Sequence, residues 1–353
     1  MTNPILIPPP EIQGPSAWYG PEMLTRLDWI EQLSETEIAE IERATRPLAD
    51  TQADITAIHR DDFPLPTLGP RLRRILDDTL NGRGFALIRC LPVERWTRLE
   101  SAIAFFGIGS HIGAARPQNS KGHALGHVKD LGLSSSDPNA RVYQTRERQT
   151  YHTDSCDIVA LLCLRPAKSG GLSSLVSSVT IFNEMRRRRP DLAKILFEPV
   201  ETDRRGEMNV GQKPYFRIPV FNWHEGLLST IYQRQYIESA RRLPDVPPLS
   251  PSQIEALDLF DALTDDPDLN MHMEFRPGDI QLVHNHTILH DRTDFEDWPE
   301  PERKRHLLRL WLAPANARPL PAVFADRYGE ITPGERGGLS MPGMKLTAPL
   351  NAE

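Results

Sequence analysis

The sequence predicts a mainly β fold, a jelly roll (double-stranded β-helix) flanked by N-terminal helices and by helices inserted between strands. Proline makes up 32 of the 353 residues, about 9% against a usual value of about 5%, which argues against long helices. From Tyr143 onward, short apolar runs rich in β-branched and aromatic residues alternate with turn sequences such as SGG and RPGD. Many short strands with few helices are typical of a sandwich or jelly roll in which helices cover one sheet.

The first part of the chain predicts two helices before the first clear strand. Ser34 and Glu37 form a capping-box pattern ahead of apolar residues at helical spacing. Pro70 opens a second helix that ends near Asn81. Beyond it we predict a strand at 84–91, a helix near 98–106 and a glycine-rich loop.

The second half predicts strands separated by turns, with two helical insertions. The strands fall at 158–164, 172–178, 217–223, 227–232, 280–290 and 306–313. The insertions fall at 179–197 and 251–265, and Ser250-Pro251 is typical of a helix start at the second of these.

One elaborated domain accounts for most of the chain. Residues 1–20 carry five prolines and predict an extended arm that lies on the domain or is mobile. Residues 21–315 form the predicted jelly-roll domain. Residues 316–353 are again rich in Pro and Gly and predict a poorly structured tail on the surface.

Charge and cysteine content limit the class of partner. A formal net charge of −7 disfavours binding to nucleic acid or to anionic membranes, so we expect a small-molecule substrate. No apolar run approaches the length of a membrane span. Cys90, Cys156 and Cys163 lie in or beside apolar runs, which disfavours a disulfide framework and favours a reducing, cytoplasmic location.

A metal site is the strongest functional pattern. His152 and Asp154 are one residue apart, so on extended chain their side chains point the same way and can bind one ion. A third ligand must come from elsewhere, and strand alternation does not choose between His284, His286 and His290. Two histidines and one carboxylate on one face of a metal leave three positions open, as in non-haem iron(II) oxygenases.

Three stretches carry a family resemblance: His152-Thr153-Asp154, Gly170-Gly171-Leu172-Ser173 and the block 275–312. Together, over about residues 80–315, they resemble the taurine dioxygenase-like (TauD/TfdA-like) family of iron(II)- and 2-oxoglutarate-dependent oxygenases. The resemblance implies Fe(II) held by His152, Asp154 and His290, with 2-oxoglutarate as cosubstrate and O2 as oxidant. His284 and His286 are then expected to pack or to orient ligands.

Two arginines share one face of the last predicted strand. In RHLLRLWL, Arg305 and Arg309 alternate onto the same side. Arginines that face an apolar interior are costly unless an anion meets them, and the planar guanidinium suits a carboxylate. By the resemblance, Arg309 binds the distal carboxylate of 2-oxoglutarate together with the hydroxyl of Ser173, and Arg305 lies near the C1 carboxylate.

The implied reaction couples decarboxylation of 2-oxoglutarate to succinate and CO2 with oxidation of a small organic substrate, most simply C–H hydroxylation. Two alternatives are a zinc-dependent hydrolase or lyase on a jelly roll, which would use the same ligands, and a non-catalytic small-molecule binding protein of the same fold. The paired arginines favour the oxygenase.

The substrate pocket is expected to draw on residues 141–149 and 211–217. The candidates there are Tyr143, Thr145, Tyr215 and Arg217, and Arg217 or Arg292 could receive an anionic group of the substrate. The sequence leaves the substrate and the oligomeric state open.

Overall fold

The computed structural model describes residues 8–134, 141–208, 211–339, 341 and 343–352. Within these residues the α-helices are α1 (Gly20–Thr25), α2 (Glu35–Asp50), α3 (Leu68–Asn81), α4 (Arg98–Ser110), α5 (Ser178–Arg188), α6 (Pro190–Ile195), α7 (Arg234–Ala240), α8 (Pro251–Thr264) and α9 (Ala325–Tyr328).

The strands of the same residues are short. They are β1 (Ile30–Gln32), β2 (Phe85–Arg89), β3 (Ala114–Arg116), β4 (Leu125–Val128), β5 (Gln149–His152), β6 (Ile158–Arg165), β7 (Ser169–Gly170), β8 (Ser173–Ser177), β9 (Pro199–Asp203), β10 (Tyr215–Pro219), β11 (Phe221–His224), β12 (Leu227–Thr230), β13 (Met271–Met273), β14 (Ile280–His284), β15 (Ile288–Arg292), β16 (Phe295–Glu296) and β17 (His306–Ala313).

Two sheets form the core of the jelly roll. The major sheet runs β1-β2-β14-β6-β17-β3, with β4 also paired to β17, and the minor sheet runs β13-β8-β15-β5. Val159, Val283 and Leu307 of the major sheet share an apolar cluster with Leu175 and Ile288 of the minor sheet. The inner faces of the two sheets therefore pack on each other, and the predicted fold class is confirmed.

Helices cover the outer face of each sheet. Ile41 of α2, Leu72 of α3 and Phe105 of α4 pack against Leu162 and Leu308 of the major sheet. The capping box predicted at Ser34 is present at the start of α2. The inserted helices α5, α6 and α8 cover the minor sheet in a second apolar cluster, which leaves the ends of the sheets accessible to ligands.

The run predicted as one strand at 280–290 is two strands in different sheets. β14 belongs to the major sheet and β15 to the minor sheet, and the turn between them is closed by the Thr287 amide donating to the His284 carbonyl at 3.1 Å. Because a turn resets strand alternation, His284 and His290 do not share a face, and their common parity carries no information.

Two predicted helices have different ends from those expected. The insertion at 179–197 divides into α5 and α6 at Arg189, whose extended backbone (φ −146°, ψ 75°) follows from the proline after it. Helix α4 continues through part of the predicted glycine-rich loop. A Cβ at Gly107 would lie 2.4 Å from the Phe63 ring, so this glycine serves close packing rather than a turn.

The segment that follows β17 is packed, in contrast to the poorly structured tail that we predicted. Leu320, Phe324 and Tyr328 are buried in a cluster with residues of β10. Arg336 is fully buried, and its guanidinium pairs with the equally buried Asp157 at 2.7 Å. A Pro- and Gly-rich composition removes helical periodicity, but it does not prevent a segment from being held by single buried side chains.

The described part of the N-terminal arm also lies on the domain. Trp18 is buried and its indole N–H donates to the Arg83 carbonyl at 2.8 Å, and the Ile12 amide donates to the Asn183 side chain at 2.9 Å. In the described part of the chain, no helix has both the length and the apolar character that crossing a membrane requires.

Candidate active site

His152, Asp154 and His290 meet between the two sheets. His152 ends β5 and lies directly opposite His290 of β15 in the antiparallel pair, with ring centroids 4.2 Å apart. Asp154 follows β5 by two residues, and its two oxygens lie 4.0 Å from His152 Nε2 and 3.8 Å from His290 Nε2. One donor atom from each residue lies within 4.8 Å of the others, so one ion can contact all three.

Hydrogen bonds orient the aspartate and the first histidine. The Asp154 amide donates to Asn285 Oδ1 at 2.9 Å, and the Trp311 indole N–H donates to Asp154 Oδ2 at 3.0 Å. His152 Nδ1 lies 2.8 Å from the Thr150 carbonyl, which only accepts, so Nδ1 carries the proton. His152 Nε2 therefore carries the ring's lone pair. The Gln149 amide donates to it at 2.9 Å, so a metal bound there would replace this hydrogen bond.

The protonation states suit a divalent cation. Burial alone would raise the pKa of Asp154, but its neighbours, the Arg309 guanidinium first, hold it below its ordinary value. Burial, and then the neighbouring His152, lower the pKa of His290 to about 3. A neutral His290, the Nε2 of His152 and an ionised carboxylate match the donor set of non-haem iron(II) sites, so the residues present fit this metal.

The competing histidines lie outside this cluster. His286 donates to Asp157 Oδ1 at 2.8 Å, and His284 Nδ1 lies 3.1 Å from the Thr287 hydroxyl. Both side chains are fully buried. Among the described residues, the grouping that could hold a metal consists of His152, Asp154 and His290.

Arg309 lies beside the candidate metal ligands. Its Nη1 is 3.7 Å from Asp154 Oδ2, and its Nε donates to Gln118 Oε1 at 2.7 Å. The Gln118 amide donates in turn to the carbonyls of Ala124 and Arg309 at 2.9 and 2.8 Å. The guanidinium also lies over the Tyr143 ring, 4.7 Å from its centroid, so its position is fixed on two sides.

Arg305 occupies the other end of an inner cavity that begins at the candidate metal ligands. This cavity is also lined by Ser173, Phe275 and Arg292. Arg305 Nη1 and Arg292 Nη1 are buried without a hydrogen-bond partner in the described part of the chain. Burial lowers the pKa of Arg305 to about 10, and burial together with the charge of Arg305 lowers that of Arg292 to about 9. Two buried, incompletely paired guanidiniums indicate a site for an anion.

The two arginines lie in the opposite order along the inner cavity from the order that we inferred from the resemblance. Arg309, expected at the distal carboxylate, is beside Asp154. Arg305, expected near the metal, is at the far end with Ser173. Strand alternation correctly puts both on one face, but it does not tell which end of the strand approaches the metal.

An outer pocket opens on the other side of His152 and Asp154. Its wall includes Tyr143, Arg141, Arg204, Glu207 and Arg327. Tyr143 was expected there, whereas the other four were not singled out. Arg327 belongs to the segment after β17, whose composition gave no reason to place it near the site.

Three predicted pocket residues do not line either cavity. Thr145 is fully buried, with its hydroxyl donating to the Val142 carbonyl at 2.9 Å. The Arg217 side chain is 59% exposed and pairs with Glu201 at 3.1 Å. Tyr215 and Arg217 flank Phe216 on β10, and alternation turns Phe216 toward the pocket and its neighbours away. Arg292 does line a cavity, but the inner one.

Comparisons with known proteins agree with this site. The family model described as "Taurine catabolism dioxygenase TauD, TfdA family" matches residues 44–311. FR-33289 synthase of Streptomyces rubellomurinus (strain ATCC 31215) is 31% identical over 328 residues, covering 90% of this chain and 95% of that protein. Taurine hydroxylase-like protein SAT17 of Stachybotrys chartarum (strain CBS 109288 / IBT 7711) is 32% identical over 304 residues, covering 83% and 77%.

A solved structure of the non-heme iron oxygenase OrfP in complex with Fe and alpha-ketoglutaric acid shares the fold. Its TM-score is 0.61 at 14% sequence identity, with 80% of this chain and 93% of that chain covered. The chain belongs to the TauD/TfdA family, as the sequence motifs indicated. It is a non-haem iron dioxygenase.

Proposed function

We propose that this dioxygenase uses Fe(II), 2-oxoglutarate and O2 to oxidise, most simply to hydroxylate, a C–H bond of a small organic substrate. The observation that carries the proposal is the inner cavity, which joins the candidate metal ligands at one end to the buried Arg305 and Ser173 at the other. A dianion with a chelating end and a distal carboxylate matches both ends.

Each residue has a distinct part in this proposal. His152, Asp154 and His290 hold the metal. The Arg309 guanidinium, beside Asp154, faces the C1 carboxylate end of 2-oxoglutarate, while Arg305 and the Ser173 hydroxyl receive the distal carboxylate. When bound, Fe(II) supplies the oxygen chemistry that couples loss of CO2 from 2-oxoglutarate to oxidation of the substrate.

Neighbouring side chains hold Asp154 and Arg309 in position, and apolar residues line the inner cavity. Asn285 and Trp311 fix Asp154, and Gln118 fixes Arg309, so neither charged side chain needs to reorganise when ligands bind. Phe275, Val159 and Leu161 line the inner cavity beside the cosubstrate site. The outer pocket, on the opposite side of His152 and Asp154, is left for the substrate.

The two alternative functions account less well for the cavity. A zinc hydrolase or lyase needs the metal ligands but gives no reason for the two buried, incompletely paired arginines of the inner cavity. A binding protein gives no reason for a complete set of metal ligands held by hydrogen bonds from two other segments.

The experiment begins with the purified protein, Fe(II) and 2-oxoglutarate under anaerobic conditions. We expect a visible charge-transfer band, and succinate after air is admitted. His290→Ala should abolish both, because two protein ligands hold the metal far less tightly than three. His224→Ala, which replaces a partly exposed histidine away from the metal ligands, serves as the matched control and should retain both signals. Absence of the band and of succinate in the wild type would refute the oxygenase, and full activity in His290→Ala would refute the ligand set.

A further inference from the structure

Three arginines form a wall between the outer pocket and a second, surface cavity. Arg204, Glu207 and Arg327 line both spaces, and Arg141 lines the outer pocket beside them. We call Arg141, Arg204 and Arg327 the arginine wall. None of the three takes part in the metal site or in the inner cavity described above, so the proposed cosubstrate does not account for them.

The arginine wall is anchored next to the metal ligands. Arg327 Nε donates to the Ser155 hydroxyl at 2.8 Å, and Ser155 directly follows Asp154. Arg204 and Arg327 both lie over the Phe216 ring, each 5.6 Å from its centroid. An anion held by these groups would therefore lie in the same pocket as the reacting part of a substrate.

The Glu207 carboxylate forms a close ion pair with one arginine of the wall and lies farther from another. Glu207 pairs with Arg141 at 2.6 Å, but its nearest approach to Arg327 is 3.9 Å. Arg204 pairs with Asp326 at 2.8 Å, on the side away from the pocket lining. The Glu207 carboxylate thus bridges two arginines but satisfies only one of them.

Burial makes this clustering unfavourable without an anion. The side chains of Arg204 and Arg327 are 3% and 9% exposed. Burial, and then the charge of Arg327, lower the pKa of Arg204. Asp203 also lines the outer pocket, but its carboxylate pairs with Arg242 at 2.6 Å. The three guanidiniums of the arginine wall are therefore left with two carboxylates, Glu207 and Asp326, and an excess positive charge lies beside the Phe216 ring.

We propose that the arginine wall binds a tetrahedral oxyanion group of the substrate, a phosphate or phosphonate, and that Glu207 holds its place when no substrate is bound. The Glu207 carboxylate lies within hydrogen-bond distance of Arg141 but 3.9 Å from Arg327. A tetrahedral oxyanion offers three oxygens in different directions and more charge, so it can accept hydrogen bonds from both arginines at once. The assignment of this anion to the oxidised substrate rests on the proposed function. The existence of the anion site is independent of that function.

The test is calorimetric titration of the anaerobic protein loaded with Fe(II) and saturated with 2-oxoglutarate. The probes are inorganic phosphate, methylphosphonate, methanesulfonate and acetate. We expect phosphate and methylphosphonate to bind more tightly than acetate by roughly tenfold or more, because they carry more charge and more acceptor oxygens. Methanesulfonate, tetrahedral but singly charged, should fall between them.

Variants separate the arginine wall from other anion sites. Arg327→Gln and Arg141→Gln should each weaken phosphate binding by roughly tenfold or more, the usual result of removing one charged partner. Glu207→Gln should strengthen it, because the competing carboxylate is gone. Arg217→Gln, at an exposed arginine on the neighbouring strand, is the matched control and should bind phosphate as the wild type does.

The outcomes are distinguishable from those of the proposed function. Phosphate binding that is the same in Arg327→Gln, Arg141→Gln and the wild type would place the anion on iron or at Arg305 and overturn the inference. Failure of the wild type to bind phosphate or methylphosphonate better than acetate would overturn it too. If no succinate forms but phosphate binding depends on both arginines, the anion site stands and the oxygenase proposal falls.

Discussion

Asp154 gathers contacts from three parts of the chain. Its amide is held by Asn285, its carboxylate by Trp311, and Arg309 lies 3.7 Å away. The spacing of His152 and Asp154 suggested that both could bind one ion, and the family resemblance supplied the context and the third candidate, His290. Asn285 and Trp311 could not be predicted, because contacts between distant positions leave no periodic signal in a single sequence.

The order of the two arginines along the inner cavity leads to a prediction. Arg305→Gln should raise the KM for 2-oxoglutarate by roughly tenfold or more with a smaller change in kcat, since a buried charged partner of the distal carboxylate is lost. Arg309→Gln should lower kcat and weaken Fe(II) binding, because the guanidinium stabilises ionised Asp154.

Steady-state kinetics with 2-oxoglutarate as the varied substrate, together with Fe(II) titration, separate the two effects. Arg303→Gln, at a half-exposed arginine just before β17, is the control and should resemble the wild type. A larger KM effect in Arg309→Gln than in Arg305→Gln, with Fe(II) affinity intact, would restore the order that the sequence suggested.

Among the elements, those with a strong local pattern were predicted most accurately. Helix α2 begins after its capping box and β17 spans the predicted residues. The turn between β14 and β15 was missed because its polar residues, Asn285 to Thr287, lie between two apolar runs and include neither glycine nor proline. The packing after β17 was missed because it depends on separate buried side chains, such as Phe324 and Arg336, that follow no periodic pattern.

Removing one member of the buried ion pair between Arg336 and Asp157 should destabilise the protein strongly. Arg336→Met leaves Asp157 buried, with His286 as its remaining ion-pair partner among the described residues. The loss of one member of a buried pair costs about 3–5 kcal/mol. Chemical denaturation of the metal-free protein measures this change in the free energy of unfolding.

The comparison is Arg303→Ala, which breaks an ion pair whose side chains are about half exposed and should cost less than about 1 kcal/mol. Equal and small effects in the two variants would show that Arg336 does not hold the segment after β17 on the domain.

In the whole molecule, charge is divided between surface and interior. The chain has a formal net charge of −7, yet the two cavities beside the candidate metal ligands are lined by Arg141, Arg204, Arg292, Arg305, Arg309 and Arg327. Composition therefore favoured a small-molecule partner, but it gave no sign of this concentration of cations inside. Several histidines are buried in the same interior, and because they are neutral there, the stability of the fold depends on pH.

Stability should fall as the pH drops below about 6.5, the ordinary pKa of histidine. Burial lowers the pKa of His306 to about 2 and that of His284 well below its usual value. Both therefore stay neutral in the folded protein, whereas the unfolded chain binds protons as the pH falls. The free energy of unfolding therefore keeps its full value above the histidine pKa of the unfolded chain. Below that pKa it falls by about 1.4 kcal/mol per pH unit for each such histidine.

Denaturant unfolding between about pH 7 and about pH 5.5, with a chelator present so that metal release does not contribute, measures this slope. His306→Gln should reduce the change in unfolding free energy with pH by the contribution of one histidine. An unfolding free energy that stays constant over the interval would contradict the buried, neutral state of these side chains.

The position of Arg327 and Arg336 late in the chain has a consequence for biosynthesis. A ribosome makes the chain from residue 1 onward, so all three candidate metal ligands and every strand of both large sheets emerge before either arginine. During that interval Asp157 lacks its guanidinium partner and Ser155 lacks Arg327. A nascent chain thus carries all three candidate metal ligands before Arg327, the last member of the arginine wall, has been synthesised.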